Sequence, residues 1–219
     1  MRILVYSRTT GFRHDSIPAG VAALTALGRD HGFEVVATED PAVLTPAELA
    51  GFAAVTFLST SGSLSDDPAA RDALEGYVRG GGGVVGIHAA ATTEYDWPFF
   101  GTLVGARFDT HPEVQPARVL VEDRTHPATA HLPETWSRTD EWYDFRTNPR
   151  DAVHVLLRAD ETSYTGGKMG ADHPLAWCHD SLGGRSFYTA LGHTDASYTE
   201  PAMLAHLLGG IRYATGRAA

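Results

Sequence analysis

The first half of the chain alternates short apolar runs with helical patterns, and this alternation limits the possible folds more than any other feature. Apolar runs at 3–7, 33–37, 53–59 and just before His88 predict four strands. Between them, a helix from Ser16 to Gly32, a short helix opened by Thr45 and Glu48 at capping-box spacing, and a helix over 68–79 are predicted. Such alternation implies right-handed βαβ crossovers and a mostly parallel sheet with helices on both faces.

The second half has a different pattern, because its strand-like runs are separated only by turns. This favours an antiparallel extension of the sheet over further βαβ units, closed by a helix over 201–215. The sequence contains neither an internal repeat nor a linker, and 219 residues with 43% hydrophobic content are enough for a sizeable core. We therefore expect one domain spanning 1–219.

Charge and cysteine content narrow the classes of function. With 17 Lys+Arg against 27 Asp+Glu, the formal charge of -10 argues against nucleic acid and against an anionic membrane surface as partners. The single cysteine, Cys178, excludes an intrachain disulfide and a cysteine-only metal site. No run of 18 apolar residues is present, so we expect a cytoplasmic protein with no membrane partner. The sequence leaves a homo-oligomer open.

Histidines follow several of the predicted strands. In "GIHAA", His88 stands where α/β enzymes carry a nucleophile on a sharp turn after a buried strand, and we expect its side chain to face a cleft. His14 follows the first strand, and His193 with Asp195 follows the last apolar run. Because the carboxyl ends of parallel strands share one edge of a sheet, these three histidines are predicted to converge.

Six motifs together resemble the ThuA-like family, which is associated with trehalose utilisation. They are "GFRHDSI", "GGVVGIHAA", "GARFDTHP", "DEWYDF", "HPLAW" and "GRSFYTALGH", and they cover nearly the whole chain. The resemblance implies a flavodoxin-like, class I glutamine amidotransferase-like three-layer α/β sandwich. It also implies a role in carbohydrate metabolism, acting on glycosides or their 3-keto derivatives.

The comparison with amidotransferases also excludes an activity. Those enzymes need a cysteine at the turn, activated by a later histidine that a carboxylate orients. This chain has His88 there, while His193 and Asp195 resemble the histidine–acid pair; Cys178 lies inside another apolar run. We therefore predict acid/base catalysis by His88, His193, Asp195 and Asp140 in place of glutamine hydrolysis. Such chemistry suits hydrolysis, elimination or isomerisation of a keto-sugar, whose ketone acidifies the adjacent C–H.

Aromatic and polar residues near these histidines are the candidates for holding a sugar. Asp140 and Glu141 are adjacent, so on a strand they point to opposite faces, and we favour Asp140 as the one that faces the cleft. Aromatic rings can stack on the apolar faces of a sugar. The predicted substrate-binding residues are Arg13, His14, Tyr95, Trp97, His111, Glu141 and Tyr143.

A divalent metal is a second route to the same chemistry. His14, His88, His111 and His193, with Asp140 or Glu141, offer the imidazole and carboxylate ligands that suit Zn or Mn, although no fixed ligand spacing is present. The glycine run 80–83 precedes a strand instead of following one, so it does not predict a dinucleotide site. Two alternatives to an enzyme remain open, namely a non-catalytic sugar-binding or regulatory module that retains the cleft, and a scaffold subunit.

Overall fold

One nine-stranded sheet organises the molecule, as seen in a computed structural model that describes residues 1–217. The strands are β1 (Arg2–Tyr6), β2 (Glu34–Thr38), β3 (Ala54–Leu58), β4 (Ser61–Gly62), β5 (Gly83–Ile87), β6 (Thr92–Thr93), β7 (Phe108–Thr110), β8 (Gln115–Val121), β9 (Thr135–Asp140), β10 (Asp144–Phe145), β11 (His154–Asp160), β12 (His173–His179) and β13 (Ser186–Thr189). The α-helices are α1 (Ile17–His31), α2 (Pro46–Leu49), α3 (Ala69–Arg79), α4 (Pro98–Val104) and α5 (Pro201–Ala214). The large sheet has the order β2-β1-β3-β5-β13-β12-β11-β8-β9, and β10-β7 and β4-β6 form two small sheets.

The parallel half of the sheet confirms the predicted βαβ pattern. β1 pairs in parallel with β2 and β3, and β3 with β5. Helix α1 ends at Gly32 in the left-handed conformation, as predicted, and the Thr45 hydroxyl accepts a hydrogen bond from the Glu48 amide at 3.3 Å. Ser16 precedes α1 but makes no side-chain capping bond, because its hydroxyl points to the Gly192 carbonyl oxygen at 3.5 Å.

The second half forms the predicted antiparallel extension. β12, β11, β8 and β9 each pair with their neighbours in antiparallel fashion. β13 joins the two halves, because it pairs antiparallel with β12 and parallel with β5. Four antiparallel steps separate β13 from β9, so β9 runs in the same direction as β5 and β13. The carboxyl ends of these three strands therefore point to one edge of the sheet.

Helices cover both faces of the sheet, as neighbouring residues of β3 show. Leu58 packs against Gly20 of α1, whereas the ring of Phe57 contacts the ring of Phe100 in α4, with centroids 5.2 Å apart. Because adjacent strand residues point to opposite faces, α1 and α4 lie on opposite sides of the sheet. This is the three-layer α/β sandwich that the sequence predicts. Among residues 1–217, no helix is both long and apolar enough to span a bilayer.

Candidate functional site

His88 stands on a strained turn at the end of β5. Its backbone has φ of 51°, a left-handed conformation that is uncommon outside glycine, and a 3-10 helix of small residues, His88–Ala91, follows at once. Two hydrogen bonds hold the turn: the His88 Nδ1 lies 2.7 Å from the Ala190 carbonyl oxygen, and the Tyr188 hydroxyl donates to the His88 carbonyl oxygen at 2.8 Å. The predicted sharp turn is present, but the side chain is 0% exposed and lies beneath the cleft.

The Nε2 atom of His88 is the centre of a crowded polar cluster. It lies 3.0 Å from His14 Nε2, 3.1 Å from the Tyr143 hydroxyl, 3.3 Å from His193 Nδ1 and 3.4 Å from Glu141 Oε2. Since a carbonyl oxygen only accepts, the contact with Ala190 requires that the proton of a neutral His88 reside on Nδ1. Its Nε2 then presents a single lone pair to four polar neighbours.

His14 and His193 reach this cluster from the loops after β1 and β13. His193 follows Gly192, which has φ of 114° and whose position has no room for a side chain, since a Cβ there would lie 2.9 Å from the Tyr198 hydroxyl. His14 is buried, and its Nδ1 has no hydrogen-bond partner among the described residues. The convergence of the three histidines is therefore as the strand ends predict. Their chemical roles stay predictions.

The two adjacent carboxylates at the end of β9, Asp140 and Glu141, are oriented differently from our expectation. They do point to opposite sides, but it is Glu141 that faces the histidines, with Oε2 at 3.2 Å from His193 Nδ1 and Oε1 at 3.1 Å from His111 Nδ1. Asp140 lies behind the cluster, where its oxygens accept the backbone N–H groups of Gly192 and His193, both at 3.0 Å. Asp140 thus holds the loop that carries His193, so the preference for it as the cleft-facing acid is wrong.

The charges of the cluster follow from burial and from these contacts. Burial alone would raise the pKa of Glu141, but the hydrogen bond from His193 and the positive charge of that ring outweigh it and lower that pKa well below its usual range. The hydrogen bond to Glu141 raises the pKa of His193. Burial, reinforced by the neighbouring His88 and His193, lowers the pKa of His14 to about 3. At neutral pH, Glu141 is therefore ionised and His14 neutral.

Tyr143 keeps its proton at any physiological pH. Burial, and then the negative charge of Glu141, raise the pKa of its hydroxyl well above the ordinary value. Its backbone is fixed from behind, because the Tyr143 carbonyl oxygen accepts from His173 Nε2 at 2.8 Å, and His173 Nδ1 is in turn 2.7 Å from Glu161. The hydroxyl is therefore a fixed hydrogen-bond donor beside His88.

An open pocket of about 610 Å³ lies above the cluster. Its walls are largely aromatic, and none of its lining residues in the described chain is Lys or Arg. The lining residues are Gly11, Phe12, His14, Ser61, Gly62, Thr92, Tyr95, Phe108, His111, Glu141, Tyr143 and His193. The pocket therefore offers rings, hydroxyls, imidazoles and one carboxylate.

Five of the predicted site residues do not line this pocket: His88 lies beneath it and Asp140 behind the cluster, and the other three point elsewhere. Asp195 is exposed, because the chain turns at Thr194 into a 3-10 helix that carries it toward solvent, and the carboxylate that contacts His193 is Glu141 instead. Arg13 forms an ion pair with Glu39 at 2.7 Å and lines an adjacent depression with Asp195. Trp97 stacks on Phe100 and lies beneath Arg71. The expected histidine–Asp195 pair is thus not formed.

Sequence reasoning missed several residues of the pocket wall. Phe12 is a large apolar side chain that is 71% exposed, directly beside His14, and Phe108 packs on Tyr143 with ring centroids 4.4 Å apart. Both lie within quoted motifs, "GFRHDSI" and "GARFDTHP". Their places in these motifs could have identified them as pocket residues. Their side chains have no titratable group, however, so a search for catalytic residues does not select them.

Two groups of side chains among residues 1–217 have the ligand types and spacing to hold a metal ion. In the first, one atom each from His14, His88, Glu141 and His193 lie within 4.8 Å of one another. In the second, the same holds for Asp144, Glu161 and His173. His111, which the sequence suggested as a ligand, belongs to neither group and contacts the outer oxygen of Glu141.

This architecture and pocket define a class: a flavodoxin-like, class I glutamine amidotransferase-like α/β sandwich with a histidine cluster at the carboxyl edge of its sheet. Within that class, the chain belongs to the ThuA family, described as trehalose utilisation, whose sequence profile matches residues 2–214.

Solved structures agree with this assignment. A ThuA-like protein from Bacteroides uniformis is 26% identical, with a TM-score of 0.85 over 98% of this chain and 91% of that chain. One from Parabacteroides merdae is 20% identical, with a TM-score of 0.78 over 100% of this chain and 91% of that chain. A β-galactosidase from Bacillus circulans shares the fold in 31% of its own length, at 13% identity over 98% of this chain and a TM-score of 0.61. No protein of curated function matches the chain.

Proposed function

We propose that the protein is an enzyme of carbohydrate metabolism that acts on an uncharged glycoside or keto-sugar, of the trehalose type or a 3-keto derivative. The observation that carries this proposal is the contact between His193 Nδ1 and Glu141 Oε2, 3.2 Å, at the floor of a pocket walled by aromatic rings. The family's description as trehalose utilisation supports a sugar as the substrate.

The pocket suits a neutral sugar better than a charged one. Sugar rings have apolar C–H faces that pack on aromatic side chains, and Phe12, Tyr95 and Phe108 supply such surfaces here. A phosphorylated sugar would need Lys, Arg or a helix N-terminus to balance its charge. The described lining contains no Lys or Arg, and the carboxylate of Glu141 would repel a phosphate.

The cluster has the arrangement of a proton-transfer site. Glu141 binds one nitrogen of His193, which fixes the ring and favours its charged form, while Nε2 has no partner among the described residues and the ring borders the pocket. His193 can therefore accept a proton from the carbon beside a ketone. The Tyr143 hydroxyl is a donor for the oxygen on which negative charge develops.

Removal of that proton is the step common to elimination and isomerisation of a keto-sugar. We therefore suggest incubating the protein with a 3-keto-disaccharide in D₂O and following the carbon beside the ketone by NMR. The expected result is deuterium incorporation or bond cleavage, both lost in His193→Gln and retained in His206→Asn, a control in which a histidine outside the pocket is changed. A parent disaccharide and a phosphorylated sugar serve as further substrates, and the phosphorylated one should not react.

Two outcomes would overturn the proposal. Sugar binding without exchange or cleavage of any substrate would instead support the non-catalytic binding module. Reaction that persists in His193→Gln at the rate of the unmodified protein would separate the activity from this cluster.

A further inference from the structure

We infer that His14, His88, His193 and Glu141 form a binding site for one divalent transition-metal cation, of the Zn²⁺ or Mn²⁺ type. The inference goes beyond the proposed function: in the metal-bound protein His193 would coordinate through Nδ1 and keep its proton on Nε2, so the ion would acidify the carbon beside a ketone, whereas His193 can act as the base only in the metal-free protein. Only the catalytic use of the ion rests on the proposed function; its binding does not.

Four of the six distances among the ligand atoms are those of a coordination shell, and the other two are within 4.8 Å. Ligands held tetrahedrally at about 2.0–2.1 Å from zinc lie about 3.3–3.4 Å from one another, and an octahedral arrangement brings neighbours to about 3.0 Å. From His88 Nε2, the other ligand atoms lie at 3.0, 3.3 and 3.4 Å, and His193 Nδ1 lies 3.2 Å from Glu141 Oε2. One small cation therefore fits among these atoms with little movement.

Hydrogen bonds alone leave the cluster poorly satisfied. With its proton on Nδ1, His88 directs the lone pair of Nε2 toward the carboxylate oxygen of Glu141, at 3.4 Å, so two acceptors face each other in a buried position. Nε2 can accept only one good hydrogen bond, yet His14, His193 and Tyr143 all approach it. A cation at the centre accepts the lone pairs of all four ligand atoms at once.

His14 provides a second, independent indication. Its side chain is only 6% exposed, its Nδ1 has no hydrogen-bond partner in residues 1–217, and its Nε2 is aimed into the cluster. Leaving a buried polar atom unpartnered costs about 1–3 kcal/mol, which a strong bond at the other nitrogen offsets. A metal bond at Nε2 is such an interaction.

The surroundings of the ligands are also those of a metal site. Metal-bound histidines usually donate their other N–H to a carbonyl or carboxylate, as His88 Nδ1 does to Ala190, whereas His14 Nδ1 has no such partner among residues 1–217. Glu141 is oriented through its second oxygen by His111 Nδ1 at 3.1 Å. Three imidazole nitrogens and one carboxylate oxygen favour zinc or a neighbouring transition metal over Mg²⁺ or Ca²⁺, which prefer oxygen ligands. When bound, such an ion supplies Lewis acidity at the floor of the pocket.

The second group with metal-ligand spacing does not meet the same criteria. His173 Nε2 is engaged by the Tyr143 carbonyl oxygen, and its Nδ1 contacts both Glu161 and the Tyr164 hydroxyl. In a neutral His173 the proton is therefore on Nε2, and the one lone pair, on Nδ1, already has a donor in the Tyr164 hydroxyl. The group is explained by its hydrogen bonds, which position Tyr143.

Metal binding can be tested without any substrate. Untagged protein, stripped with a chelator and dialysed, is titrated with Co²⁺ while visible absorption is recorded, and with Zn²⁺ in a calorimeter. We expect one equivalent per chain and a cobalt spectrum typical of nitrogen-rich coordination. Glu141→Gln and His193→Asn should weaken binding by more than about 100-fold, beyond the loss usual for groups that only orient a ligand. His206→Asn should bind like the unmodified protein.

The outcomes separate the metal site from the proposed function. Absence of stoichiometric binding, or binding that survives in the Glu141→Gln/His193→Asn double variant, overturns the metal site. If the stripped protein still converts a keto-sugar, the proposed function stands without the metal. If the ion binds as expected and no sugar reacts, the metal site stands and the proposed function fails.

Discussion

Two buried histidines lie on either side of the end of β13, and their surroundings differ sharply. His206 in α5 has both nitrogens on oxygen partners, the Ala128 carbonyl oxygen at 2.7 Å and the Thr189 hydroxyl at 3.1 Å. The Nδ1 atom of His88 contacts the carbonyl oxygen of Ala190, the residue after Thr189. Its Nε2 atom faces two histidines, a tyrosine and a carboxylate. Both side chains are 0% exposed.

The comparison shows that burial does not identify a functional histidine. What separates the two is the chemistry of their partners, since the surroundings of His206 satisfy one neutral imidazole and those of His88 do not. Burial lowers the pKa of His206 to about 3, so it stays neutral and structural. We therefore use His206 as the internal control for His88. The two side chains contact consecutive residues, because His206 lies against the Thr189 hydroxyl and His88 against the Ala190 carbonyl oxygen.

The largest effect on the functional side of this comparison is expected for Glu141→Gln. Loss of the charge that orients and stabilises His193 should lower turnover of a keto-sugar by roughly 10²-fold to 10⁴-fold. The melting temperature should also fall, because the lowered pKa of Glu141 means that its charge stabilises the folded state, so turnover is compared per folded molecule. Steady-state rates and thermal unfolding measured on one preparation check this. Normal turnover in this variant would place Glu141 among the structural residues.

Asp140→Asn tests whether the hydrogen bonds from Asp140 to the loop after β13 position His193 for the reaction. The carboxylate accepts from Gly192 and His193, and it pairs with Arg138 at 2.8 Å. A displaced His193 should lower kcat by roughly 10-fold to 100-fold with little change in KM. A change in KM alone would mean that Asp140 acts on substrate binding, which its position behind the cluster does not allow.

His206→Asn should give the opposite pattern. The variant should lose about 1–3 kcal/mol of unfolding free energy through its broken hydrogen bonds, with unchanged turnover of the folded fraction. A pKa lowered by folding means that stability is full above pH 6.5 and falls as the pH drops toward 3, because the unfolded chain then binds more protons. Urea unfolding across this range should show a shallower pH dependence in the variant. An equal slope would assign the acid sensitivity to other groups, such as His126, whose pKa burial lowers to about 4.

Cys178→Ser should have the smallest effect. The thiol lies buried in β12, burial raises its pKa to about 11, and it lines none of the pocket above the cluster. Turnover should be unchanged, with a stability loss of about 1 kcal/mol. Loss of activity in a well-folded variant would revive a thiol-dependent reaction.

The sequence predicted the sheet and the meeting of three histidines, because strand alternation and strand ends are local patterns with fixed geometric consequences. It did not predict the choice between Asp140 and Glu141, which depends on how the chain leaves β9, an edge strand of the sheet. Asp195 was misplaced for a similar reason. Its distance from His193 along the chain suits a paired acid, but the 3-10 helix after Thr194 turns it to solvent.

The central claim is that the cluster around His88 performs chemistry while His206 maintains the fold, and one paired measurement tests it most directly. His88→Asn and His206→Asn are compared for turnover per folded molecule, with the folded fraction taken from thermal unfolding. Asparagine tolerates the left-handed backbone at residue 88. We predict that both variants lose stability, that His88→Asn loses roughly 10²-fold to 10⁴-fold in turnover, and that His206→Asn loses none. Equal turnover per folded molecule in the two variants would contradict the claim.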